Sequence, residues 1–419
     1  MRLQVRGRLR SRRSRVLVML GLLGPGLIAA NAGNDAGGVA TYSEVGARYG
    51  YQLLWAMVLI TVSLALVQRS AARMGVVTGK GLSELIRERY GIRWSAFATI
   101  CVLAANLGIC ISDFVGVGAA LGLAGVPAQV SVPIAAAVIW LVIVRGSYRS
   151  AERIFIWLTI PFFAYPVAAI LAHPDWGKVG HALVAPQLHT DPTFLLLFVA
   201  LAGTTITPYM QLYLQSATVE RGAAEEDLRN ESREAVGGAI FADLVAGFII
   251  VATGATLYVG GIHSIGSAAD AAKALEPLAG QYAELLFGVG LLGASLLAAA
   301  ILPIATSYVV AESLGFEKGI GRRTEEAPVF MGVITAMIVI STIVAIVPGI
   351  PVIAFLVGVQ VVNGLLLPVN LFFIWRLARS EELMGEHRNR GPVDWLTAAT
   401  VAITSTLSLI LVAVTVLGL

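Results

Sequence analysis

Asp35 is an acidic residue inside a stretch that is otherwise apolar enough to cross a membrane. It belongs to Gly-Asn-Asp-Ala-Gly-Gly, residues 33–38, which follows the apolar run 16–32 and leads into Val39. An aspartate at the centre of a membrane helix costs ~2.5–3.5 kcal/mol on insertion scales. A helix interrupted in this way is tolerated only where its backbone lines a cavity or is buried in protein. The pattern therefore predicts a broken helix with a binding site at the break.

A second break is predicted at Gly-Thr-Thr-Ile-Thr-Pro, residues 203–208. Proline removes a backbone donor and clashes with the preceding turn, and glycine and threonine have weak helix propensity. Either break alone is typical of a packing kink, because glycine and proline are common in membrane helices. Two breaks in corresponding positions of two halves indicate a transporter whose half-helix ends bind the ligand near the middle of the membrane.

The polar residues near these breaks offer only oxygen ligands. Asp35 has a carboxylate, Thr204 and Thr207 have hydroxyl and carbonyl oxygens on one face if helical, and Gln360 has an amide oxygen. Such ligands suit Mg²⁺, Ca²⁺ or Mn²⁺ rather than soft metals. One carboxylate cannot strip the water from Mg²⁺, so that ion would bind largely hydrated. Gly38 and the glycine before it are expected to leave room for it. Composition alone equally allows an organic amino acid as the substrate.

Other polar groups inside the apolar segments have competing interpretations. Asp113 is either an ion or proton relay or a local hydrogen-bond partner. Asp243 is predicted to lie near the cytoplasmic end of its helix, at the membrane interface. Asn363 and Asn370 are predicted to form hydrogen bonds between helices. The charged run 220–234 is predicted to be a solvated loop helix.

The sequence contains no pattern that indicates an enzyme or an ATP-driven pump. A phosphate-binding loop, a nucleophile–base arrangement and zinc-ligand spacing are all absent from it. All five histidines are expected in loops, which argues against a histidine metal cluster inside the membrane. Cys101 and Cys110 are about 13 Å apart along a helix, too far for a disulfide, and are predicted to be small buried hydrophobes. No cofactor, no nucleic-acid partner and no obligate protein partner is predicted; Mg²⁺ or Mn²⁺ would be the transported substrate.

Composition and hydropathy predict an all-α integral membrane protein in contact with a lipid bilayer. Of the 419 residues, 57% are hydrophobic and only 13% are charged, whereas soluble domains have about 25% charged residues. Eleven segments are long enough to cross a bilayer. They cover residues 16–45, 52–73, 94–121, 127–145, 153–172, 193–219, 235–259, 282–313, 328–347, 351–376 and 395–417.

The basic residues predict the orientation of these spans. Only Arg48, Lys178 and Lys273 fall in the odd-numbered loops; the rest of the 29 lysines and arginines lie in the first fifteen residues or in even-numbered loops. The positive-inside rule therefore predicts a multi-pass protein of the cell membrane with a cytoplasmic N-terminus and an extracytoplasmic C-terminus. In a bacterium this membrane would be the inner membrane. An arginine-rich start followed by an apolar run also resembles a cleavable signal peptide. Cleavage there would remove the symmetry between the two breaks.

The two predicted breaks are five spans apart, so the two broken helices run in opposite directions across the membrane. This arrangement is typical of an inverted repeat. It divides the sequence into a basic cytoplasmic tail at 1–15, a first five-helix repeat at 16–172, a second at 193–376 and an eleventh helix at 395–417.

The sequence resembles the NRAMP family of divalent metal-ion transporters over nearly its whole length. Residues 24–26 (Gly-Pro-Gly) with 34–38 (Asn-Asp-Ala-Gly-Gly) are similar to the family's opening "GPG…DPGN" helix. Residues 78–91 resemble its cytoplasmic "TGKDL…RERY" loop, and residues 207–214 resemble its "MPHNLYLH" motif. The resemblance implies a LeuT-like fold of five plus five helices and an eleventh, with helices 1 and 6 discontinuous.

The departures from the family pattern are concentrated at the breaks. The aspartate is kept as Asp35, but the family's proline is Ala36 and its asparagine is Gly38. The family's helix 6 methionine, a soft ligand for transition metals, is Thr207, and the alanine three residues earlier is Thr204. Loss of the thioether weakens selection for Mn²⁺ and Fe²⁺ over alkaline-earth ions. The pattern resembles the NRAMP-related magnesium transporter branch.

The groups that the family uses for protons are also changed. The helix 6 histidine is Tyr209, and the helix 3 acids correspond to Cys110 and Asp113, while the helix 10 glutamine corresponds to Gln360. The resemblance thus implies an importer of hydrated Mg²⁺ and also Mn²⁺ without proton coupling, with Asp113 and Tyr209 as candidate relays. The predicted metal site comprises Asp35, Gly38, Thr204, Thr207 and Gln360, with Gly38 widening it. A proton-coupled Mn²⁺/Fe²⁺ transporter and an amino-acid or organic-solute symporter remain the alternatives.

Overall fold

A computed structural model describes residues 33–145, 157, 160, 164–189 and 191–417 of the chain. Every regular element in this part is helical. The longer helices are α1 Ala36–Tyr49, α2 Leu54–Thr78, α3 Leu82–Tyr90, α4 Ile92–Leu123, α5 Ala128–Arg145, α6 Ala164–Leu171, α7 Trp176–Val184, α8 Pro192–Thr205, α9 Pro208–Glu220, α10 Leu228–Thr253, α11 Ala283–Leu314, α12 Pro328–Ala345, α13 Val352–Ala378 and α14 Pro392–Leu417. Short helices cover Ala268–Ala272, Glu276–Ala279 and Glu381–Met384.

The helices are those of a membrane protein. Within the described ranges nine helical stretches are long and apolar enough to cross a membrane, three of them formed by joining successive helices across residues 192–220, 225–258 and 280–314. Long helices that are apolar around their whole circumference are stable only in lipid or in a large core. The predicted all-α membrane fold is therefore confirmed for this part of the chain. Residues 16–32 of span 1 and residues 153–156, 158–159 and 161–163 of the predicted fifth span lie outside the described residues.

The first predicted break coincides with the start of α1. Asp35 is its N-cap: the backbone there is extended, with φ −66° and ψ −178°, and the side chain accepts a hydrogen bond from the backbone N–H of Gly38. Such a cap satisfies one of the N–H groups that every helix leaves unpaired at its start. Asp35 thus begins a helix in the middle of an apolar segment, as the sequence predicts.

The second predicted break separates α8 from α9. α8 ends at Thr205, and α9 begins with Pro208 at its first position, where proline's missing N–H costs nothing. Thr207 is the N-cap of α9, with φ −66° and ψ 136°. The sixth helix is therefore discontinuous, as predicted. Residues 206 and 207 are not helical. Thr204 and Thr207 therefore do not share one helical face, which the sequence analysis expected if this segment were helical.

Close backbone contact between α8 and α13 brings the second break against the tenth span. A Cβ atom on Gly203 would lie 2.4 Å from both the carbonyl oxygen of Gln360 and the nitrogen of Gly364. A Cβ atom on Gly364 would lie 2.4 Å from the carbonyl oxygen of Val199. Small residues at helix contacts are the usual means of close approach inside membranes. This contact sets Gln360 next to the break.

The structure corrects three expectations about polar residues. Asp243 is only 6% exposed and follows Ala242, whose carbonyl accepts a hydrogen bond from the Asn34 side chain. It therefore lies level with the first break, and the predicted interfacial position is wrong. Most of the charged run 220–234 is solvated, but Glu231 is buried and pairs with an arginine in that run. His181 lies in α7 rather than in a loop.

Candidate metal site

The Asp35 carboxylate lies at the N-terminus of α1 and is fully buried. Its Oδ1 accepts a 2.5 Å hydrogen bond from the backbone N–H of Gly38. The partial positive charge at a helix N-terminus stabilises an anion there. The local sequence therefore fixes the position of this carboxylate at the start of α1. In the described part of the chain no salt bridge neutralises it.

Gln360 on α13 holds this carboxylate from the opposite side. Its Nε2 donates to Oδ1 of Asp35 at 3.1 Å and to Oδ2 at 3.2 Å. The structure therefore brings these two predicted site residues together across 325 positions of sequence. It presents the amide nitrogen, however, whereas the sequence reasoning expects the amide oxygen as a ligand. The Gln360 oxygen points instead towards Asn363, whose Nδ2 lies 3.4 Å away.

The second break contributes two buried hydroxyl groups. Thr204 and Thr207 are both fully buried, and neither Oγ1 has a hydrogen-bond partner of normal geometry within the described residues. The Tyr42 side chain is close enough to interact with Thr204, and the Tyr209 side chain with Thr207. Other buried polar atoms of the described residues also lack a partner, so an unpaired oxygen does not by itself indicate a ligand. The position of these two hydroxyls at one helix break, with Thr204 close to Gly38 at the other break, makes them candidate ligands.

Gly37 and Gly38 permit the close approach of the surrounding groups. A Cβ atom on Gly37 would lie 2.2 Å from the Gln360 amide nitrogen. A Cβ atom on Gly38 would lie 2.7 Å from the Gly33 carbonyl oxygen and 3.0 Å from Oγ1 of Thr204. Any larger residue would displace these neighbours. The space that these glycines provide is occupied by Gln360 and Thr204 in this conformation, so Gly38 does not border open volume as expected.

The two candidate relay residues lie beside the same break. The Oδ1 atom of Asp113, on α4, accepts a 3.3 Å hydrogen bond from the backbone N–H of Ala36, and its Oδ2 is buried without a partner in the part of the chain that the structure describes. Tyr209, in the first turn of α9, is fully buried. Cys110 is buried one turn before Asp113 on α4. Asp113 thus serves as a hydrogen-bond partner of the break, which is one of its two predicted roles; the relay role stays a prediction.

Sequence reasoning missed two residues that shape the site. Asn34 ties the first break to α10 through a 3.1 Å hydrogen bond from Nδ2 to the Ala242 carbonyl. Tyr42 shares a 3.2 Å hydrogen bond with Oγ1 of Thr205, so α1 is joined to the end of α8. The signal for Tyr42 was its position seven residues after Asp35, two helical turns along the same face. The predicted interhelical roles of Asn363 and Asn370 are confirmed, because their amides donate to the carbonyls of Gly203 and Pro208.

The donor set is therefore composed of oxygen atoms around one capped carboxylate. In the described ranges no group of three or more histidine, cysteine, aspartate or glutamate side chains is placed to hold a metal. The sulfur of Met210, two residues after Pro208, accepts a 3.7 Å hydrogen bond from the Gln68 amide. Such a set suits a hard cation rather than a soft one.

Hydrogen bonds fasten the C-terminal half of α9 to its neighbours. Ser216 donates a 2.7 Å hydrogen bond to Glu312 on α11, and the same carboxylate accepts one from Lys318 at 3.0 Å. The Gln215 amide donates to the carbonyl of Lys80, just before α3, at 2.9 Å. These contacts close the bundle below the second break. Asp35, Thr204, Thr207 and Gln360 are all 0% exposed, so the site is occluded in this conformation.

Comparison with known proteins extends to nearly the whole chain. The family model described as "Natural resistance-associated macrophage protein-like" (Nramp) matches residues 26–414. The chain is 32% identical over 308 residues to the divalent metal cation transporter MntH of Yersinia pestis, covering 72% of this chain and 75% of that one.

Two solved structures resemble the fold. A manganese transporter of Eremococcus coleocola, crystallised with an aromatic bis-isothiourea substituted compound, superimposes with a TM-score of 0.76 at 19% identity, over 96% of this chain and 88% of that one. MhsT in complex with L-phenylalanine gives a TM-score of 0.63 at 15% identity, over 97% of this chain and 99% of that one. The fold is the LeuT-like one that the sequence predicts. This chain belongs to the Nramp family, whose matched members are membrane transporters and not enzymes.

Proposed function

We propose that this chain transports divalent metal cations, with Mg²⁺ as the principal substrate and Mn²⁺ as a second one, and that transport is not coupled to protons. The observation that carries the proposal is the set of buried oxygen atoms at the two breaks. Asp35 contributes a carboxylate, and Thr207 and Thr204 contribute two hydroxyl oxygens without a hydrogen-bond partner among the described residues. Family membership and the divalent metal cation transporters among its relatives support the wider class of substrate.

The proposed binding mode assigns a role to each residue of the shell. Asp35 supplies the negative charge, held in place by the Gly38 N–H at 2.5 Å. A cation would replace the Gln360 amide nitrogen as the positive group beside this carboxylate, and rotation of that amide would turn its oxygen towards the ion. The same rotation would free the space next to Gly37, which the Gln360 amide fills here. An ion that keeps part of its water shell needs that space, because Mg²⁺ dehydrates reluctantly.

The membrane potential is the proposed driving force. Moving one elementary charge across 100 mV is worth ~2.3 kcal/mol, so a dication gains about twice that amount on entry. The proposed orientation, with the basic loops in the cytoplasm, makes the inward direction favourable. Release into the cytoplasm would require α9 to leave Glu312, to which Ser216 is bonded at 2.7 Å. Movement of the two broken helices against the rest of the bundle is the alternating-access motion that this architecture supports.

A proton-coupled Mn²⁺/Fe²⁺ transporter is the second candidate. Asp113 favours it, since its carboxylate contacts the first break at 3.3 Å and has one unpaired oxygen. An amino-acid symporter is less well supported. An amino-acid carboxylate would be expected at the positive N-terminus of a half-helix, but in this chain the Asp35 carboxylate already occupies the N-terminus of α1.

Uptake into proteoliposomes under an inside-negative potential tests the proposal. Wild-type protein should take up Mg²⁺ and Mn²⁺ with no fall in intravesicular pH, whereas acidification that follows uptake would overturn the uncoupled mechanism. Thr207→Met places a thioether at the second break and should raise the preference for Mn²⁺ over Mg²⁺ about tenfold. Thr207→Leu, similar in size but without sulfur, is the matched control. Equal effects of the two substitutions would contradict the role of ligand softness.

A further inference from the structure

A small basic cavity lies where α3 ends and α13 ends. Its volume is about 230 Å³, and it is lined by Arg89, Tyr90, Arg376, Leu377, Arg379 and Ser380. We call this feature the arginine cavity. No acidic side chain is among these described lining residues. Three guanidinium groups around one small cavity provide many donors that match the oxygens of a phosphate.

The positive charge of the arginine cavity is only partly neutralised. Arg89 forms an ion pair with Glu382, and both side chains are about half exposed or more. Arg379 approaches Asp394 at 3.8 Å, at the outer limit of an ion pair. Arg376 has no ion pair among the described residues. Exposed pairs of this kind contribute little free energy, so an anion can compete for these groups.

An aromatic cluster borders the arginine cavity and marks the edge of the membrane. The Tyr90 and Phe373 rings are 5.4 Å apart, and the Phe373 and Trp94 rings are 6.4 Å apart. The guanidinium of Arg379 lies 4.9 Å from the centre of the Trp375 ring. Trp94 is 55% exposed although it lies at the start of a membrane-crossing helix. Exposed aromatic rings at the ends of apolar helices are typical of the membrane–water interface.

We propose that the arginine cavity binds the phosphate headgroup of an anionic phospholipid, with the acyl chains along the exposed aromatic cluster. The cavity and the cluster are continuous through Tyr90, which belongs to both. A lipid is the one phosphate compound that fills both parts, because a soluble phosphate has nothing to place against Trp94. Basic pockets between membrane helices on the cytoplasmic side are known to suit such headgroups. The proposal depends on neither the transported ion nor proton coupling.

Thermal stability of the full chain in detergent, with and without added lipid, tests this proposal. Dioleoyl phosphatidylglycerol should raise Tm, and dioleoyl phosphatidylcholine at the same concentration should not. Arg376→Gln should weaken the phosphatidylglycerol effect about tenfold in concentration, since it removes a charged donor. Arg323→Gln removes the same charge from an exposed loop outside the arginine cavity and should leave the effect unchanged.

The remaining outcomes are also decisive. Glycerol phosphate, which carries the headgroup chemistry without acyl chains, should give no shift in Tm; a shift equal to that of the lipid would overturn a lipid ligand. Equal loss of the effect in Arg376→Gln and Arg323→Gln would show a general charge effect and overturn the site. Native mass spectrometry should detect retained phosphatidylglycerol on wild type and on Arg323→Gln, and less on Arg376→Gln. Unchanged Tm of both variants in phosphatidylcholine verifies that they are folded.

Discussion

The two helix breaks differ in what they present to the centre of the molecule. At the first break the ligand is an anion: the Asp35 carboxylate is capped by a backbone N–H and held by the Gln360 amide. At the second break the ligands are neutral: the hydroxyls of Thr204 and Thr207 have no hydrogen-bond partner among the described residues. The first break holds a buried carboxylate that no cation pairs with in the described part of the chain, while the second offers neutral oxygens.

This difference suggests that the two breaks have different roles in ion binding. We propose that the charge–charge attraction at the first break provides most of the affinity for any cation, because a carboxylate in a low-dielectric interior has a strong field. Neutral oxygens at the second break add less free energy but discriminate between ions by size and softness. The helices that follow the two breaks are also held in different ways. α1 packs closely on α10, where a Cβ atom on Gly46 would meet Thr253. α9 is held near its C-terminal end by the hydrogen bond between Ser216 and Glu312.

The largest effect is expected from removing the charge at the first break. Asp35→Ala should reduce the initial rates of Mg²⁺ and Mn²⁺ uptake at least ~100-fold, or ~2.7 kcal/mol. Asp35→Asn, which keeps a capping oxygen, should be equally inactive while Tm stays close to wild type. Asp175 caps α7 in the same way at an exposed site, so Asp175→Asn should retain uptake within about twofold. Uptake by Asp35→Asn near the wild-type rate would remove the distinction between the two breaks.

The next effect concerns the contact that positions the second break. Gly203→Ala would place a Cβ 2.4 Å from backbone atoms of α13 and should lower the free energy of unfolding by about 1–3 kcal/mol. Gly358→Ala, on α13 with nothing within 4 Å of the new Cβ, should be neutral or slightly stabilising. Thermal unfolding in detergent compares the two variants. If Gly203→Ala unfolds at the same Tm as Gly358→Ala, the close packing of α8 on α13 does not contribute to the stability of the fold.

A smaller effect is expected from the residue that links the breaks. Gln360→Ala removes both hydrogen bonds to Asp35 and the proposed amide ligand, and should raise KM for Mg²⁺ uptake about tenfold. Asn363→Ala removes a 2.5 Å hydrogen bond to the Gly203 carbonyl and should lower Tm with a KM within about twofold of wild type. Concentration-dependent uptake, measured with Tm for both variants, separates ligand binding from helix packing. An unchanged KM in Gln360→Ala would exclude Gln360 from the ion's shell.

The smallest effect is expected at a neutral oxygen of the second break. Thr204→Val replaces the unpartnered hydroxyl by a methyl group of the same shape and should raise KM about threefold, ~0.7 kcal/mol. Thr342→Val is the control, because the Thr342 hydroxyl donates only to the carbonyl one turn before it on α12. Uptake of Mg²⁺ and Mn²⁺ in competition gives both the affinity and the preference. A tenfold or larger loss in Thr204→Val would mean that the neutral break also supplies affinity.

The sequence predicts features that depend on short-range interactions better than features that depend on contacts between distant residues. Asp35 and Pro208 act on their own backbone within a few residues, so the helix start after Asp35 and the break before Pro208 are predicted correctly. The position of Asp243 is predicted incorrectly. A helix of apolar residues gives no local signal of which face is buried or of how deep each residue lies in the membrane. The Gln360 amide orientation is also beyond the sequence, since its partner Asp35 is 325 residues away.

The sequence by itself determined that this protein is a helical membrane protein, that two of its helices are broken, and that one break carries a carboxylate. Those features depend on hydropathy, proline, glycine and capping, all of which act locally. Only the tertiary structure decided that Gln360 holds Asp35 by its nitrogen and that the hydroxyls of Thr204 and Thr207 are buried without a hydrogen-bond partner among the described residues. It also decided that the space beside Gly38 is filled. The physical reason is that hydrogen bonds and close contacts between distant helices depend on how the helices pack, which no local pattern specifies.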